Sequence, residues 1–522
     1  MRKLQDVLED WEAVIGLEVH TELTTLDTKM FCNCRLSHDD EPNTNVCPVC
    51  LGMPGALPVP NRRAVQAIVM AGLATNCQIQ RHSLFYRKHY FYPDMAKNFQ
   101  TTQGPVAFCM YGHLDLDVTG EGARERPDHV MTGTDVVAAH DAAAPLTVDK
   151  APDGSYTVPI RILRIHMEED AAKMVHSGGE EGRITGASES FIDYNRCGTP
   201  LIELVTEPDL RTPEEARLFM ERLQQTFRTL GISDCSLESG SMRCDGNISL
   251  RRRGTSALGT KTEMKNINSF KGLHDALAYE ICRQAEVLEE GGTIYQETRH
   301  WEPSNRRTVV MRVKETADDY RLFPDPDLAP FNLTDEFIND AAARIPELPD
   351  AKRNRYVASF GLKRADAAQI AGDPAVATLF EEAAEMAGEG VAPTVANVVV
   401  NLLPACGAIT AAQTAGIARL LAADAITFAQ ARDVLDAVDG TDEDPERVVD
   451  ERGLRQSTDT GTLEPVVDAV LARCTEQVRQ YRDGNRKVVG YLVGQCMKAS
   501  TAAGVKGNPK LFNELLTARL EG

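Results

Sequence analysis

The chain has 522 residues, of which 43% are hydrophobic and 25% charged, and its net charge is −21. This length exceeds what one hydrophobic core supports, so several domains are expected, and the negative charge excludes a global attraction to nucleic acid or to an anionic membrane. The N-terminal segment has acidic residues where a signal peptide needs an apolar run, and no stretch offers about 18 uninterrupted apolar residues, so we expect a cytoplasmic, enzyme-sized protein without a membrane association.

The first predicted element is a β-strand over residues 14–23, VIGLEVHTEL. Alternation with a period of two separates an apolar face from a polar face. The apolar face consists of Ile15, Leu17, Val19 and Leu23. The polar face carries Glu18, His20 and Glu22, and carboxylates that bracket an imidazole suit a hard divalent cation such as Mg²⁺ or Mn²⁺. The alternative is an exposed polar face on an edge strand.

Four cysteines follow in two close pairs, C-x-C and C-x-x-C, separated by twelve residues. They are Cys32, Cys34, Cys47 and Cys50. This spacing indicates a zinc knuckle or ribbon, in which four thiolates close a tetrahedral structural site and leave no open position for catalysis. The alternative is four free thiols in a loop.

A predicted helix over residues 62–74 leads to a basic and aromatic segment, RKHYFYPDMAKNFQ. Its candidate binding residues are Arg87, Lys88, Tyr90 and Tyr92, accompanied by Phe91 and Lys97. Such a mixture can hold phosphates, a nucleotide base or an RNA end. A buried aromatic turn flanked by solvated lysines is the alternative.

Two further predicted strands carry charged groups. The strand IRILRIHMEED is apolar until its end, where it presents His166, Glu168, Glu169 and Asp170. After a capped helix predicted over residues 212–230, the strand GTKTEMKN places Lys261, Glu263 and Lys265 on one face. An acidic row that suits magnesium and a row of lysines are the two halves of a phosphoryl-transfer site. A solvated loop and salt-bridged surface strands are the alternatives.

From about residue 334 onward, helical periodicity replaces the strand signals, which predicts all-helical units. The last 45 residues, 478–522, contain eight lysines and arginines against three acidic residues. This local reversal of charge is typical of a tRNA-binding tail, for which Arg486, Lys487 and Lys498 are candidates. A solvated basic helix is the alternative.

The ordered motifs VIGLEVHTEL, CPVCLGMPGALPVPN, RKHYFYPDMAKNFQ, IHMEEDAAK, DYNRCGTPLIE, RCDGNIS, GTKTEMKN, DYRLFPDPDL and GYLVGQCMKAS together resemble the B-subunit family of aspartyl/glutamyl-tRNA amidotransferases over nearly the whole chain. The resemblance implies an α+β fold. A cradle-like catalytic domain with a mixed or antiparallel sheet would span residues 1–330, an all-helical domain residues 331–440, and a small helical tail residues 441–522.

The resemblance also implies a reaction and its partners. With ATP and Mg²⁺, the protein would phosphorylate the side-chain carboxylate of Glu-tRNA(Gln), Asp-tRNA(Asn) or both. Ammonia would then displace the phosphate, after the A subunit, an amidase, had released it from glutamine, and the small C subunit would bridge the two larger ones. A non-catalytic tRNA-binding scaffold is the alternative function.

The resemblance finally implies roles for residues. Glu18 and His20, joined by Glu168 or Glu169, match the family's magnesium-binding motif, and Glu22 is a weaker candidate. Arg87, Lys88, Tyr90 and Tyr92 would border the tRNA end or the nucleotide. Lys261 and Lys265 would meet phosphates, with Lys261 counted among the catalytic residues. The four cysteines match the zinc-bearing form of the family, in which zinc supports the structure.

Overall fold

The computed structural model describes residues 2–37, 40–126, 150–178, 186–255, 257–313, 320–405, 407–456, 460–505 and 507–521. The chain divides into two compact units, Met1–Leu348 and Pro349–Gly522. The first unit mixes helices with a large sheet and the second is helical, which confirms the predicted α+β class. The predicted domain limits at residues 330 and 440 stay predictions.

The strands of the first unit follow one another along the chain with helices inserted between them. They are β1 (Trp11–Glu22), β2 (Gln78–Ile79), β3 (His82–Ser83), β4 (Phe85–His89), β5 (Phe99–Gln103), β6 (Cys109–Val118), β7 (Tyr156–Glu169), β8 (Lys173–Ser177), β9 (Glu189–Asp193), β10 (Pro200–Thr206), β11 (Met242–Arg252), β12 (Thr262–Ile267), β13 (Glu297–Glu302), β14 (Arg307–Val313), β15 (Phe323–Pro324) and β16 (Phe331–Asn332).

The large sheet has the order β14-β13-β12-β11-β1-β10-β7-β5-β4-β15, and β6 joins it by pairing with β7 and β2. Only the pairing of β12 with β13 is parallel among the strands described. Two further antiparallel pairs, β3 with β16 and β8 with β9, lie outside this sheet. Strand β1 therefore occupies the middle of the sheet, with β10 on one side and β11 on the other.

The apolar face predicted for β1 is confirmed, because Ile15, Leu17, Val19 and Leu23 are at most 1% exposed. Residues of this face belong to a core that also includes side chains of the helices of the first unit. Those helices are α1 (Leu4–Asp10), α2 (Arg62–Ala74), α3 (Pro213–Thr229), α4 (Phe270–Glu289) and α5 (Asp335–Ala343). The opposite face of β1 is consequently left for polar groups.

Helix α3 begins where the sequence predicts it. The Oγ1 of Thr212 accepts the backbone N–H of Glu215, and Pro213 occupies the first turn. Glu215 does not complete a capping box, since its carboxylate accepts the backbone N–H of Arg211 rather than that of Thr212. The carboxylate also binds the side chains of Arg126 and Tyr156. The buried Glu215 carboxylate therefore connects the start of α3 with Arg126 and Tyr156 instead of binding the backbone of Thr212.

The second unit consists of helices. They are α6 (Pro349–Phe360), α7 (Arg364–Ala371), α8 (Pro374–Ala387), α9 (Ala392–Asn401), α10 (Ala411–Ala422), α11 (Phe428–Val438), α12 (Pro445–Glu451), α13 (Thr460–Arg473), α14 (Thr475–Arg482), α15 (Val489–Ala502) and α16 (Pro509–Glu521). One apolar cluster draws on residues between 356 and 449, and a second on residues between 463 and 520. Among the helices that the structure describes, none has both the length and the hydropathy required to cross a lipid bilayer.

Candidate functional site

The polar face of the sheet carries a row of charged side chains at its centre. Residues directly opposite each other in an antiparallel pair point to the same face. The strand register places Arg243 of β11, His20 of β1, Glu203 of β10 and His166 of β7 side by side. The next positions along these strands that share the face add Glu18 and Asp245, which are also register partners.

His20 is the centre of this cluster. Its Nε2 lies 3.2 Å from Oε2 of Glu203, 3.8 Å from Oε1 of Glu18 and 4.0 Å from Oε1 of Glu168. Burial lowers the pKa of His20, but the hydrogen bond and attraction of Glu203, helped by Glu168 and Glu18, outweigh burial and raise it to about 9. Three acidic side chains thus converge on one imidazole.

Glu203 is held as a carboxylate by two imidazoles. Its Oε2 is 3.4 Å from Nε2 of His166 as well as 3.2 Å from Nε2 of His20. Burial raises the pKa of Glu203, but attraction and hydrogen bonding from His166, and then from His20, hold it well below its usual range. Glu203 was not among the predicted site residues. Its signal in the sequence is a single acid inside the otherwise apolar strand PLIELVT.

The cluster has the donor set and spacing of a divalent-cation site. One ligand atom each from Glu18, His20 and Asp245 lie within 4.8 Å of one another, and so do those from His20, Glu168 and Glu203. Ligands about 2.1 Å from an octahedral Mg²⁺ are roughly 3.0 Å apart when adjacent and 4.2 Å when opposite. The observed spacings fit this range, and the two triads share His20.

The structure separates the two neighbouring glutamates of β7. Glu168 points to His20 and accepts the Oγ1 hydroxyl of Thr102 at 3.2 Å. Glu169 points to the other face, where it pairs with Lys97 and accepts the backbone N–H of Thr101. Glu168 therefore belongs to the His20 cluster, whereas Glu169, which was predicted as a possible ligand of the same ion, does not lie with it.

The two predicted lysines are also placed differently. Lys265 pairs with Asp245, the register partner of Glu18, and lies 3.4 Å from Glu263. Burial lowers the pKa of Lys265, but attraction to Asp245 outweighs it and the pKa is raised. Lys261 is exposed and precedes the first residue of β12. It stands four positions from Lys265, which is roughly 13 Å along a strand.

Glu22, the weaker candidate on β1, belongs to a separate group of charges. Burial and a hydrogen bond shared with Asp170 raise the pKa of Glu22 to about 8. Asp170 lies 3.0 Å from a guanidinium nitrogen of Arg243 and 3.6 Å from one of Arg196. Glu22 thus shares the face of His20 but faces a carboxylate and two arginines.

The basic and aromatic segment splits between the two faces of β4. Arg87 contacts Asp325 through Nε at 3.0 Å and Asp327 at 2.6 Å, and its guanidinium lies over the ring of Phe99. Lys88 is on the alternate face, the one shared with Glu168, and its Nζ is 4.9 Å from the centre of the Tyr320 ring. Arg87 therefore has two acidic partners on the face away from His20.

Two tyrosines follow this strand. The rings of Tyr90 and Tyr92 lie edge to face at 5.8 Å, and Tyr92 is 58% exposed. Burial, followed by repulsion from Asp94 and Glu168, raises the pKa of Tyr90. Tyr90 is therefore a neutral side chain within the field of the acidic cluster.

The four cysteines of the predicted knuckle converge. Their Sγ atoms all lie within 4.8 Å of one another, and the Sγ atoms of Cys47 and Cys50 are 3.9 Å apart. A zinc ion with four Zn–S bonds of about 2.3 Å requires sulfur atoms roughly 3.8 Å apart. The donor set and its spacing therefore fit zinc. Cys32 and Cys50 also line a cavity of about 210 Å³ together with Lys97 and Glu169.

The predicted tail residues lie in the second unit. Arg486 pairs with Glu521 at 2.8 Å and covers the ring of Tyr481. Lys487 and Lys498 are exposed. The three cations are thus unequal, because Arg486 already has an acidic partner.

Comparison with known proteins identifies two family domains in the chain. Residues 13–339 match a model described as the GatB/GatE catalytic domain, and residues 379–520 match one described as the GatB domain. A relative from Carboxydothermus hydrogenoformans, named as the B subunit of aspartyl/glutamyl-tRNA(Asn/Gln) amidotransferase, is 43% identical over 98% of this chain and 99% of its own. A relative of the same name from Geobacter sp. strain M21 is 42% identical over 98% of this chain and 100% of its own. Another, from Caldicellulosiruptor saccharolyticus, is 41% identical over 98% of this chain and 99% of its own.

Proposed function

Because the chain belongs to the family of aspartyl/glutamyl-tRNA(Asn/Gln) amidotransferase B subunits, we propose that it activates and amidates the side-chain carboxylate of Glu-tRNA(Gln), of Asp-tRNA(Asn), or of both. The observation that carries the proposal is the convergence of Glu18, Glu168 and Glu203 on His20. The reaction is that of a carbon–nitrogen ligase that uses glutamine as its amido donor. We place it in the cytoplasm, where aminoacyl-tRNAs are consumed.

Two bond exchanges make up the reaction. An oxygen of the substrate carboxylate attacks the γ-phosphorus of ATP, the bond to the β-phosphate oxygen breaks, and ADP leaves. The nitrogen of ammonia then attacks the carbon of the acyl phosphate, inorganic phosphate leaves, and the nitrogen loses a proton. Phosphorylation is needed because a free carboxylate has no leaving group that ammonia can displace.

Four side chains of the His20 cluster would hold the divalent cation. They are Glu18, His20, Glu168 and Glu203. Mg²⁺ or Mn²⁺ at this place would neutralise the oxygens of the transferred phosphate. Glu203 keeps the imidazole of His20 in position through its short contact, and His166 fixes Glu203 from the other side. These contacts hold Glu203 and His20 in position before any substrate binds.

The groups around this row would receive the substrates. Lys265 brings a positive charge to the side of Asp245 and Glu18, where it can attract a phosphate, and it suits this role better than the exposed Lys261. Lys88 lies on the face of Glu168, and Tyr90 follows the same strand. Both are suited to the tRNA end or the nucleotide, with Tyr92 beside Tyr90. Arg87 would support this segment through Asp325 and Asp327.

The remaining assignments follow from family membership and from the local arrangement of side chains. Ammonia would come from the amidase, the A subunit, and the small C subunit would complete the complex. Zinc bound by the four cysteines would order the loop between β1 and α2. Lys487 and Lys498, aided by Arg486, would contact the phosphates of the tRNA.

Variants of the His20 cluster test the proposal in the purified complex. We expect Glu18→Gln and His20→Asn each to reduce amide formation on misacylated tRNA by roughly a hundredfold or more, because each removes a ligand of the cation that would stabilise the transferred phosphate. The exposed Glu238 provides a matched control, and Glu238→Gln should retain full activity. Binding of tRNA should be kept in all three variants.

A second measurement separates catalysis from a scaffold role. When glutamine is omitted, the unaltered complex should convert ATP and misacylated tRNA into ADP and an acyl phosphate, which hydroxylamine traps as a side-chain hydroxamate. Only the ATP-dependent product is counted, because hydroxylamine also cleaves the aminoacyl ester. Both variants should form no ATP-dependent hydroxamate. If they form amide and hydroxamate at the rate of the unaltered complex, the protein is a non-catalytic tRNA-binding scaffold.

A further inference from the structure

Lys29 is a buried lysine next to the four cysteines. It is 0% exposed, and its Nζ lies 3.8 Å from Sγ of Cys50 and 3.1 Å from the carbonyl oxygen of Tyr194. The backbone N–H of the same residue donates to the carbonyl oxygen of Cys34 at 3.0 Å. Lys29 therefore contacts both cysteine pairs, one through its side chain and the other through its main chain.

No carboxylate forms an ion pair with Lys29 among the residues that the structure describes. Glu169 lines the same cavity as Lys29 but is paired with Lys97. The side chains of Lys29 and Cys50 both lie next to Gly198. A Cβ atom added to this glycine would be 3.5 Å from Cδ of Lys29 and 3.7 Å from Cβ of Cys50. The side chain of Lys29 is thus directed to the sulfur cluster.

A buried ammonium is strongly unfavourable unless negative charge lies close to it. Zinc with four thiolates carries a formal charge of minus two, because a dication is bound by four anions. A cation beside one of the sulfurs compensates for part of this charge. Lysine suits the position, because its ammonium has three donors and two acceptors are already in reach.

We propose that Lys29 is the counter-cation of the four-thiolate site, a positioning residue that stabilises the zinc-bound state through Cys50. The proposal rests on the assignment of zinc to the four cysteines, and it does not depend on the amidation chemistry. In the zinc-bound protein the ammonium donates to the thiolate of Cys50. Without zinc, the ammonium keeps only Cys50 and the carbonyl oxygen of Tyr194 as partners among the contacts described.

The test compares zinc binding in three variants of the complex. Lys29→Met removes the cation and keeps the length of the side chain, whereas Lys29→Gln removes the charge and keeps a donor for the carbonyl of Tyr194. Arg35→Met removes an exposed cation from the loop between the two cysteine pairs and is the matched control. Zinc affinity is measured by competition with a chromogenic chelator.

We expect Lys29→Met and Lys29→Gln each to weaken zinc binding about 10- to 100-fold, as is usual when a neighbour of a metal ligand is lost. Arg35→Met should change it less than about twofold, because exposed charges are screened. A loss in Lys29→Met alone, with Lys29→Gln unaffected, would overturn the proposal by showing that hydrogen bonding to Tyr194 is what counts. Unchanged zinc affinity in both Lys29 variants would overturn it as well.

Thermal unfolding distinguishes charge compensation from a merely structural role. Zinc should raise the melting temperature of the unaltered complex more than that of Lys29→Met, while the zinc-free Lys29→Met variant should melt no lower than the zinc-free unaltered complex. A lower melting temperature of the variant in the zinc-free state would contradict the proposal. If the unaltered complex binds no zinc, both the zinc assignment and this inference fail, whereas the amidation assays stay unaffected.

Discussion

At the level of single residues, Glu203 shows how a buried acid can be kept ionised. Two imidazoles, those of His20 and His166, lie 3.2 and 3.4 Å from the same carboxylate oxygen. An ionised carboxylate is otherwise costly at this position, because Glu203 is only 6% exposed. The charge of Glu203 in turn raises the pKa of His20 to about 9, with burial acting in the opposite direction. In the protein without a cation, His20 therefore carries the positive charge that the acids require.

The substitution Glu203→Gln tests this coupling. Loss of the nearest negative charge should lower the pKa of His20 from about 9 toward the ordinary value near 6.5, because burial then acts with less opposition. An NMR titration of the labelled imidazoles measures the change. Glu238→Gln is the control and should leave the titration of His20 as it was. A pKa of His20 that stays near 9 in Glu203→Gln would show that Glu18 and Glu168 suffice.

At the level of elements, the central position of β1 explains why the site is where it is. Strands β10 and β11 pair with β1 on its two sides, so their side chains join those of β1 on one polar face. Strand β7 contributes Glu168 and His166 through its pairing with β10. A strand at the edge would have had one such neighbour instead of two. Helices α3 and α4 support this sheet through the cores that they share with it.

Helix α3 offers a test of local stability. Thr212→Ala removes the hydroxyl that accepts the backbone N–H of Glu215, which should lower the free energy of unfolding by about 1 kcal/mol. Urea unfolding followed by circular dichroism measures the change. The same substitution at the other end of the helix, Thr229→Ala, should cost less than half as much because no cap is lost. Equal effects at the two ends would contradict a capping role.

Helix α4 carries a pH-dependent contact. Nε2 of His274 is 2.8 Å from Oε1 of Glu125, and this hydrogen bond, followed by attraction to Glu125 and Asp275 against the effect of burial, raises the pKa of His274 above 6.5. The stabilisation is therefore complete below about pH 6.5 and is lost as pH rises through the folded-state pKa.

The substitution His274→Gln should consequently lower the free energy of unfolding at pH 6 more than at pH 9. The difference should be under about 1 kcal/mol, because the pair is partly exposed and solvent screens it. Urea unfolding at both pH values measures it. His82→Gln, at an exposed histidine whose ring contacts Asn332, is the control. A larger loss at pH 9 than at pH 6 would show that the neutral form of His274 is the stabilising one.

At the level of the whole molecule, local patterns predicted the elements, and contacts between distant strands decided the site. The period of two in β1 and the cap of α3 were readable because neighbours in sequence determine them. The sequence could not decide between Glu168 and Glu169 as the cation ligand, because the choice depends on how β7 pairs with β5 and β10. Lys265 lies inside β12 beside Asp245, whereas Lys261 precedes this strand, and their difference depends on where β12 begins. The place of Glu203 beside His20 depends on the pairing of β1 with β10, because the two residues are about 180 positions apart in the chain.

The second unit supports a prediction about tRNA binding. Lys487 and Lys498 are exposed, whereas Arg519 is paired with Asp468 at 3.0 Å and Glu464 at 3.3 Å. Reversing the charge of both lysines, Lys487→Glu with Lys498→Glu, should weaken tRNA binding and reduce the slope of log K against log salt by about 1.5, since two phosphate contacts are lost. Filter binding of the complex at several salt concentrations measures the slope.

Arg519→Glu is the control for a long-range effect of charge. It should alter the slope by less than Lys498→Glu alone, because a paired cation releases fewer counterions. Equal changes in slope for Arg519→Glu and Lys498→Glu would show that net charge, and not contact by the tail, governs the affinity.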